Sequence, residues 1–179
     1  MFTRVAVSGH RGLSPDVSAL VVAGIEAQLD RIAPGDSDPI GLSCLADGAD
    51  QLFAAAVLDR GGSLDVVVPA EEYREGLPEA AQPQYDAFLS RASRVHHCLH
   101  RESTAESHMD ASRYMVVQAD YLLAVWDGEP AGTADVVLYA QGKGIPVAVV
   151  WLEGAPGLKI LSIPGHRRPH PRNTSNTVK

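Results

Sequence analysis

Five short segments of this chain gather the residue types that hold anions and hydroxyl groups. They are Ser8-Gly9-His10-Arg11-Gly12, Ala46-Asp47-Gly48-Ala49-Asp50, Tyr73-Arg74, His100-Arg101 with Ser103-Thr104, and Asp127-Gly128 followed by Gly132-Thr133. Gly9 and Gly12 let a backbone approach a ligand closely, and Arg11 offers a planar donor fork for phosphate or carboxylate. Segments that open helices add free N–H groups, which favour anions. Phosphate on Gly9, Arg11, Gly48, Gly132 and Thr133, sugar hydroxyls on Asp47, Asp50 or Asp127, and a base against Tyr73 would suit them. Each residue also has a plainer reading. Asp47 and Asp50 could be first-turn helix acids, Thr133 a cap, and the glycines tight turns. What favours a site, with His10 and Gly128 included in it, is that all five segments fall at equivalent places in the chain.

Those places follow from the elements around them. Arg4–Ser8, Ile40–Leu45, Leu64–Val68, Arg94–Leu99, Tyr121–Trp126 and Ile145–Leu152 are short apolar runs and read as strands. Between them lie helical patterns. Ser14-Pro15-Asp16 opens the first, with Val17, Leu20, Val21, Ile25, Leu29 and Ile32 as its buried face and Pro34-Gly35 as its stop. Asp47–Arg60, Gln82–Ala92, a helix from the capping-box form Ser103-Thr104-Ala105-Glu106 to about Gln118, and Thr133–Gln141 complete the alternation. Apolar strands alternating with amphipathic helices predict a three-layer αβα Rossmann-like sandwich with a mainly parallel sheet of about six strands. Right-handed crossovers then bring every strand-to-helix turn to one edge, where open α/β sheets bind ligands.

Composition narrows the class. The 179 residues are 45% hydrophobic and 21% charged, as expected of a globular protein, and no run reaches the ~20 apolar residues of a membrane span. Residues 1–153 read as one domain and 154–179 as an extension, disordered and basic from about 164. That tail, Pro164–Lys179, carries four of the 15 basic residues and no acid, leaving 11 basic against 22 acidic in the body. Such a body argues against DNA as a partner. The first residues run straight into a strand pattern without an apolar leader, which predicts a cytoplasmic protein.

Cys44 and Cys98 read as buried thiols rather than a disulfide. His96, Cys98 and His100 alternate on one strand face, a spacing that can bind zinc, but no second cluster accompanies them. Buried packing, and no metal or other cofactor, is the expectation. No G-x-S-x-G elbow, Walker loop or G-x-G-x-x-G turn is present.

With these residues in view, the chain resembles the SLOG superfamily of Rossmann-like nucleotide-ligand domains, which joins the DNA-processing protein Smf/DprA and the cytokinin-activating LOG enzymes. The resemblance covers roughly Val5–Val150. It is carried by VAVSGHRGL, by LADGADQLFAAAVLDRGGSLDVVVP and by LLAVWDGEPAGTADVVLYAQGKGIPVAVV. The last segment is also similar to that of nucleoside deoxyribosyltransferases. LOG enzymes use a turn Gly-Thr-x-x-Glu whose glutamate helps cleave an N-glycosidic bond. Here Gly132-Thr133-Ala134-Asp135-Val136 puts Val136 at that position, and Asp135, one residue away, is rotated by about 100°.

The resemblance therefore implies a protein that binds a nucleotide or nucleotide-derived small molecule, as a sensor or accessory binding protein. The alternative it implies is an N-glycosidic-bond hydrolase or transferase, with Asp127 or Asp47 as catalytic carboxylate. It also admits a homodimer. Single-stranded DNA handling, as in the DprA relatives, is disfavoured by the acidic body.

Overall fold

A computed structural model describes residues 2–35 and 38–151. The C-terminal extension 154–179, with its basic tail, lies outside the described residues. The chain alternates strands and helices: β1 (Arg4–Gly9), α1 (Pro15–Ile32), β2 (Ile40–Ser43), α2 (Ala49–Asp59), β3 (Ser63–Val68), a 3-10 turn (Glu79–Ala81), α3 (Gln82–Ser90), β4 (Arg94–His97), α4 (Ala105–Gln118), β5 (Tyr121–Trp126), α5 (Gly132–Gly142) and β6 (Val147–Trp151).

The strands form one six-stranded sheet in the order β4-β3-β2-β1-β5-β6, and every pair is parallel. Starting at β1 the chain winds one way through β2, β3 and β4. It then returns across the sheet to β5 and winds the other way to β6. With right-handed crossovers, α1, α2 and α3 fall on one face, and α4 and α5 on the other. Packing follows this division, since α1 lies against α2 and α4 against α5. The direction of winding reverses between β1 and β5, so their carboxyl ends splay apart there and leave a crevice.

The central strands are the driest part of the molecule. Val5, Ala6, Leu122, Leu123, Ala124 and Val125 are fully buried between the helical layers. At the opposite, amino edge, Arg4 at the start of β1 reaches across β2 to Asp65 on β3 (2.9 Å). Its Nε donates to the Gln118 carbonyl at the end of α4 (2.7 Å). That pairing satisfies the buried Asp65 and uses the polar groups of this edge to hold elements together.

Several local expectations need correction. The stripe that α1 buries runs through Val21, Gly24, Ile25, Gln28, Leu29 and Ile32, so Leu20, about 100° away from Val21, is exposed. The α4 cap sits one residue later than the capping-box pattern placed it. Thr104 accepts from Ser107 N (3.2 Å), and Ser107 Oγ accepts from Thr104 N (2.9 Å). Strand β4 is an edge strand with every residue exposed, which overturns buried packing of His96; Cys98 just beyond it is only half-buried. His96 stacks on Tyr114 instead, at 3.9 Å between ring centroids. Among the described residues no helix is long and apolar enough to cross a membrane, and no group of three metal-binding side chains gathers.

Candidate functional site

The crevice at the β1–β5 reversal is a cavity of about 370 Å³. Turns from four strands and the starts or sides of three helices meet in it. The first turn contributes Gly9, His10 and Arg11, α2 contributes Asp50, and the segment after β3 contributes Tyr73. Gly132 and Thr133 enter from the start of α5. Asp47, Gly48, Asp127 and Gly128 do not line the cavity; they lie behind the residues that do.

The part they play there is geometric. Asp47 accepts from Arg11 Nε (2.6 Å) and from Gly12 N (3.0 Å), which fixes the first turn, while Arg11 itself lines the cavity. Asp127 takes Glu129 N (3.0 Å), closing its own turn. Its Oδ1 lies 3.1 Å from His10 Nε2. The approach is off the line of a hydrogen bond, so Nε2 is buried without a hydrogen-bond partner and the contact becomes an ion pair when the ring is protonated. The Glu129 amide, and after it the His10 ring, hold the Asp127 carboxyl below its usual range.

Gly48 packs against this same turn. It adopts φ +89°, its neighbour Ala49 donates N–H to the His10 carbonyl (3.1 Å), and a Cβ on Gly48 would sit 2.6 Å from that oxygen. The N-terminus of α2 is thereby closed by protein. That of α4 is closed by its capping box and that of α1 by Ser14. Helix α5 differs. Its N-cap is Ala131, which has no side chain to cap with, and a Cβ on Gly132 would meet nothing within 4 Å. Ala131, Gly132 and Thr133 all border the cavity, so the uncapped N–H groups of the first turn open onto it.

Two hydroxyl-bearing side chains border the same space. Thr133 and Tyr73 are each more than nine-tenths buried, and neither side chain has a hydrogen-bond partner among the described residues. Burial pushes the Tyr73 hydroxyl up well above its ordinary range. The deepest charge is Asp50, which accepts from Ser43 Oγ and Cys44 N, both at 3.2 Å. Burial nonetheless pushes its carboxyl up to about 6, against the pull of those donors.

One wall was not legible in the sequence. Helix α4 lays His108, Met109, Ser112 and Met115 along the cavity. His108 Nε2 lies 2.8 Å from Ser103 Oγ, and its ring meets Tyr73 edge-on at 5.5 Å. Burial, and after it the charge of Arg11, pull its titration down, which keeps the ring neutral near pH 7. The spacing 108, 109, 112, 115 is an ordinary helical face, and only the return of α4 across β1 turns it toward the turns. On α5, Val136 is buried against the cavity and Asp135 is exposed, so this helix brings no carboxylate to it.

No family model matches the chain, and no curated protein matches it. Solved structures do. DNA processing protein A from Helicobacter pylori, described for its unique single-stranded DNA binding mode, superposes with a TM-score of 0.63 at 13% identity, over 83% of this chain and 65% of that one. DNA processing protein A (DprA) from Streptococcus pneumoniae gives 0.67 at 18% identity, over 88% and 53%. The protein TM1055 gives 0.54 at 21%, over 81% and 72%. The chain thus spans about two thirds and half of the lengths of the two DNA processing proteins. At these identities the likeness establishes a shared Rossmann-like fold, in agreement with the resemblance of the sequence to the Smf/DprA–LOG group.

Proposed function

We propose that the domain formed by residues 1–153 binds a nucleotide or nucleotide-derived small molecule at the carboxyl edge of the sheet, as a sensor or accessory binding protein. The observation that carries this reading is the start of α5: an uncapped helix N-terminus opening into a cavity beside the Thr133 hydroxyl, which has no hydrogen-bond partner among the described residues. A phosphate there accepts from the Gly132 and Thr133 amides and from Thr133 Oγ1, with the dipole of α5 behind it. Arg11, braced by Asp47, supplies a second charge from across the opening. Asp47 and Asp127 act by positioning Arg11 and His10.

Cleavage of an N-glycosidic bond has weaker support. Val136 stands where the resembled enzymes carry glutamate, and Asp50 is the carboxylate that borders the cavity. Its Oδ2 is already engaged by Ser43 and Cys44.

Calorimetric titration with nucleoside monophosphates, cyclic nucleotides, ADP-ribose and a single-stranded oligonucleotide tests the proposal. The expected result is saturable binding of at least one small nucleotide, weakened about tenfold or more by Arg11→Ala. Absence of binding by every small nucleotide, or binding of the oligonucleotide alone, contradicts it. Release of free base during the same incubations would move the protein to the enzymatic reading.

A further inference from the structure

Strand β4 is a basic edge on an acidic molecule. Residues 91–101 carry three arginines and three histidines and no acid, in a chain whose formal net charge is -7. Independently of the nucleotide reading, we propose that the outer edge of β4 binds an extended acidic segment of a partner protein, which pairs with it as an added strand of the sheet.

The backbone offers the pairing. β4 is bonded to β3 on one side, and among the described residues no strand pairs with the other side. Alternate N–H and C=O groups of such an edge point outward and form a template for a further strand. All four residues of β4 are exposed, as is Leu99 just beyond it, and none of the four is a proline that would withhold an N–H.

The side chains choose the sign of the partner. His96 stacks on Tyr114 of α4, so Arg94, two residues earlier, stands on the same face of the sheet, and Val95 and His97 stand on the opposite face. On the α4 side lies a cavity of about 180 Å³, bordered by Arg94, His96, Tyr114 and Gln118 and by Arg4 and Asp65. Arg4 and Asp65 neutralise each other at 2.9 Å, whereas the Arg94 side chain has no ion-pair or hydrogen-bond partner among the described residues. The unbalanced charge of the cavity is therefore that of Arg94, and a carboxylate on an added strand can complete it. Arg91, just ahead of the strand, is likewise exposed and unpaired among the described residues. Acids close to this segment are already taken, since Glu72 pairs with Arg101 and Asp110 with His100. On the opposite face Val95, 41% exposed, leaves an apolar position. The matching strand thus alternates acidic and apolar residues. A second copy of this chain fits poorly, because pairing β4 with itself sets arginine and histidine against arginine and histidine.

The test titrates the full chain at pH 7 with three fluorescent eight-residue peptides, followed by anisotropy. One alternates Glu and Val, one has the same pattern with a central proline, and one alternates Lys and Val. The first is expected to bind about tenfold or more tightly than either of the others. Arg94→Glu is expected to weaken it about tenfold and Arg91→Glu about threefold, and both substitutions fall on exposed, unpaired side chains that the fold does not need. In a nitrogen–proton correlation spectrum the amides of residues 94–97 are expected to move most. No binding of the Glu-Val peptide, equal binding of all three, indifference to Arg94→Glu, or shifts centred away from β4 overturns the proposal. A single-stranded oligonucleotide that displaces the peptide from β4 and binds more tightly overturns it in favour of a nucleic-acid surface. A dimer joined through β4, seen by sedimentation, overturns it in favour of a second copy.

Discussion

The N-termini of α2 and α5 look alike in sequence and do opposite things in the fold. Each follows a strand, each has a glycine at its start, and each is preceded by an aspartate. At α2 the glycine is consumed inside the protein. Gly48 adopts a left-handed conformation so that the His10 carbonyl can receive the Ala49 amide, and Asp47 is turned onto Arg11 and Gly12. At α5 the space beside Gly132 is empty, and the amides of the first turn open onto the cavity. The lesson is that a glycine-rich helix start marks a ligand site only where protein atoms have not already taken its donors.

Substituting the two glycines separates the roles. Gly48→Ala forces a Cβ into a left-handed residue and against the His10 oxygen 2.6 Å away, and is expected to cost about 2–4 kcal/mol of stability in chemical denaturation. A loss below about 1 kcal/mol would mean that the turn packing is softer than described. The second-largest effect concerns the buried acid of α2. Because the Asp50 carboxyl rises from 3.8 to about 6 on folding, the native state keeps a proton that the unfolded chain loses between those values. Stability from this group is therefore greatest below pH 4, falls as pH rises through 4 to 6, and is flat above, by about 2–3 kcal/mol in all. Asp50→Asn is expected to remove that slope from the pH dependence of unfolding; an unchanged slope would assign it to another group. The smallest effect is Gly132→Ala, expected to shift stability by no more than about 0.5 kcal/mol while narrowing the entrance to the α5 amides. A loss comparable to that of Gly48→Ala would erase the distinction between the two helix starts.

Much of the fold was legible because burial on both faces of a parallel sheet leaves a direct mark. The run Tyr121–Trp126 is apolar throughout, and β5 occupies those residues. Strand β4 shows the converse, since Val95 and Cys98 look like core residues but sit at a sheet edge whose outer side no strand covers. Edge position depends on strand order, which local sequence does not state. The candidate site was legible in the same partial way. Gly9, Arg11, Asp50, Tyr73, Gly132 and Thr133 belong to turns after strands, and topology alone sends them to one edge. His108 and Met115 sit in the body of a helix, and their presence depends on α4 crossing back over β1. Whether Asp47 and Asp127 face ligand or neighbouring side chains is a matter of a single rotamer, and both turn to the residues of the first turn.

The most direct measurement is a nitrogen–proton correlation spectrum of the labelled protein during titration with AMP and, separately, inorganic phosphate. If the open helix start is the anion seat, the amides of Gly132 and Thr133 move most with both ligands, and those of Gly48 and Ala49 move little. Larger shifts at Gly48 and Ala49, or shifts spread over the surface without a centre at α5, would contradict that assignment.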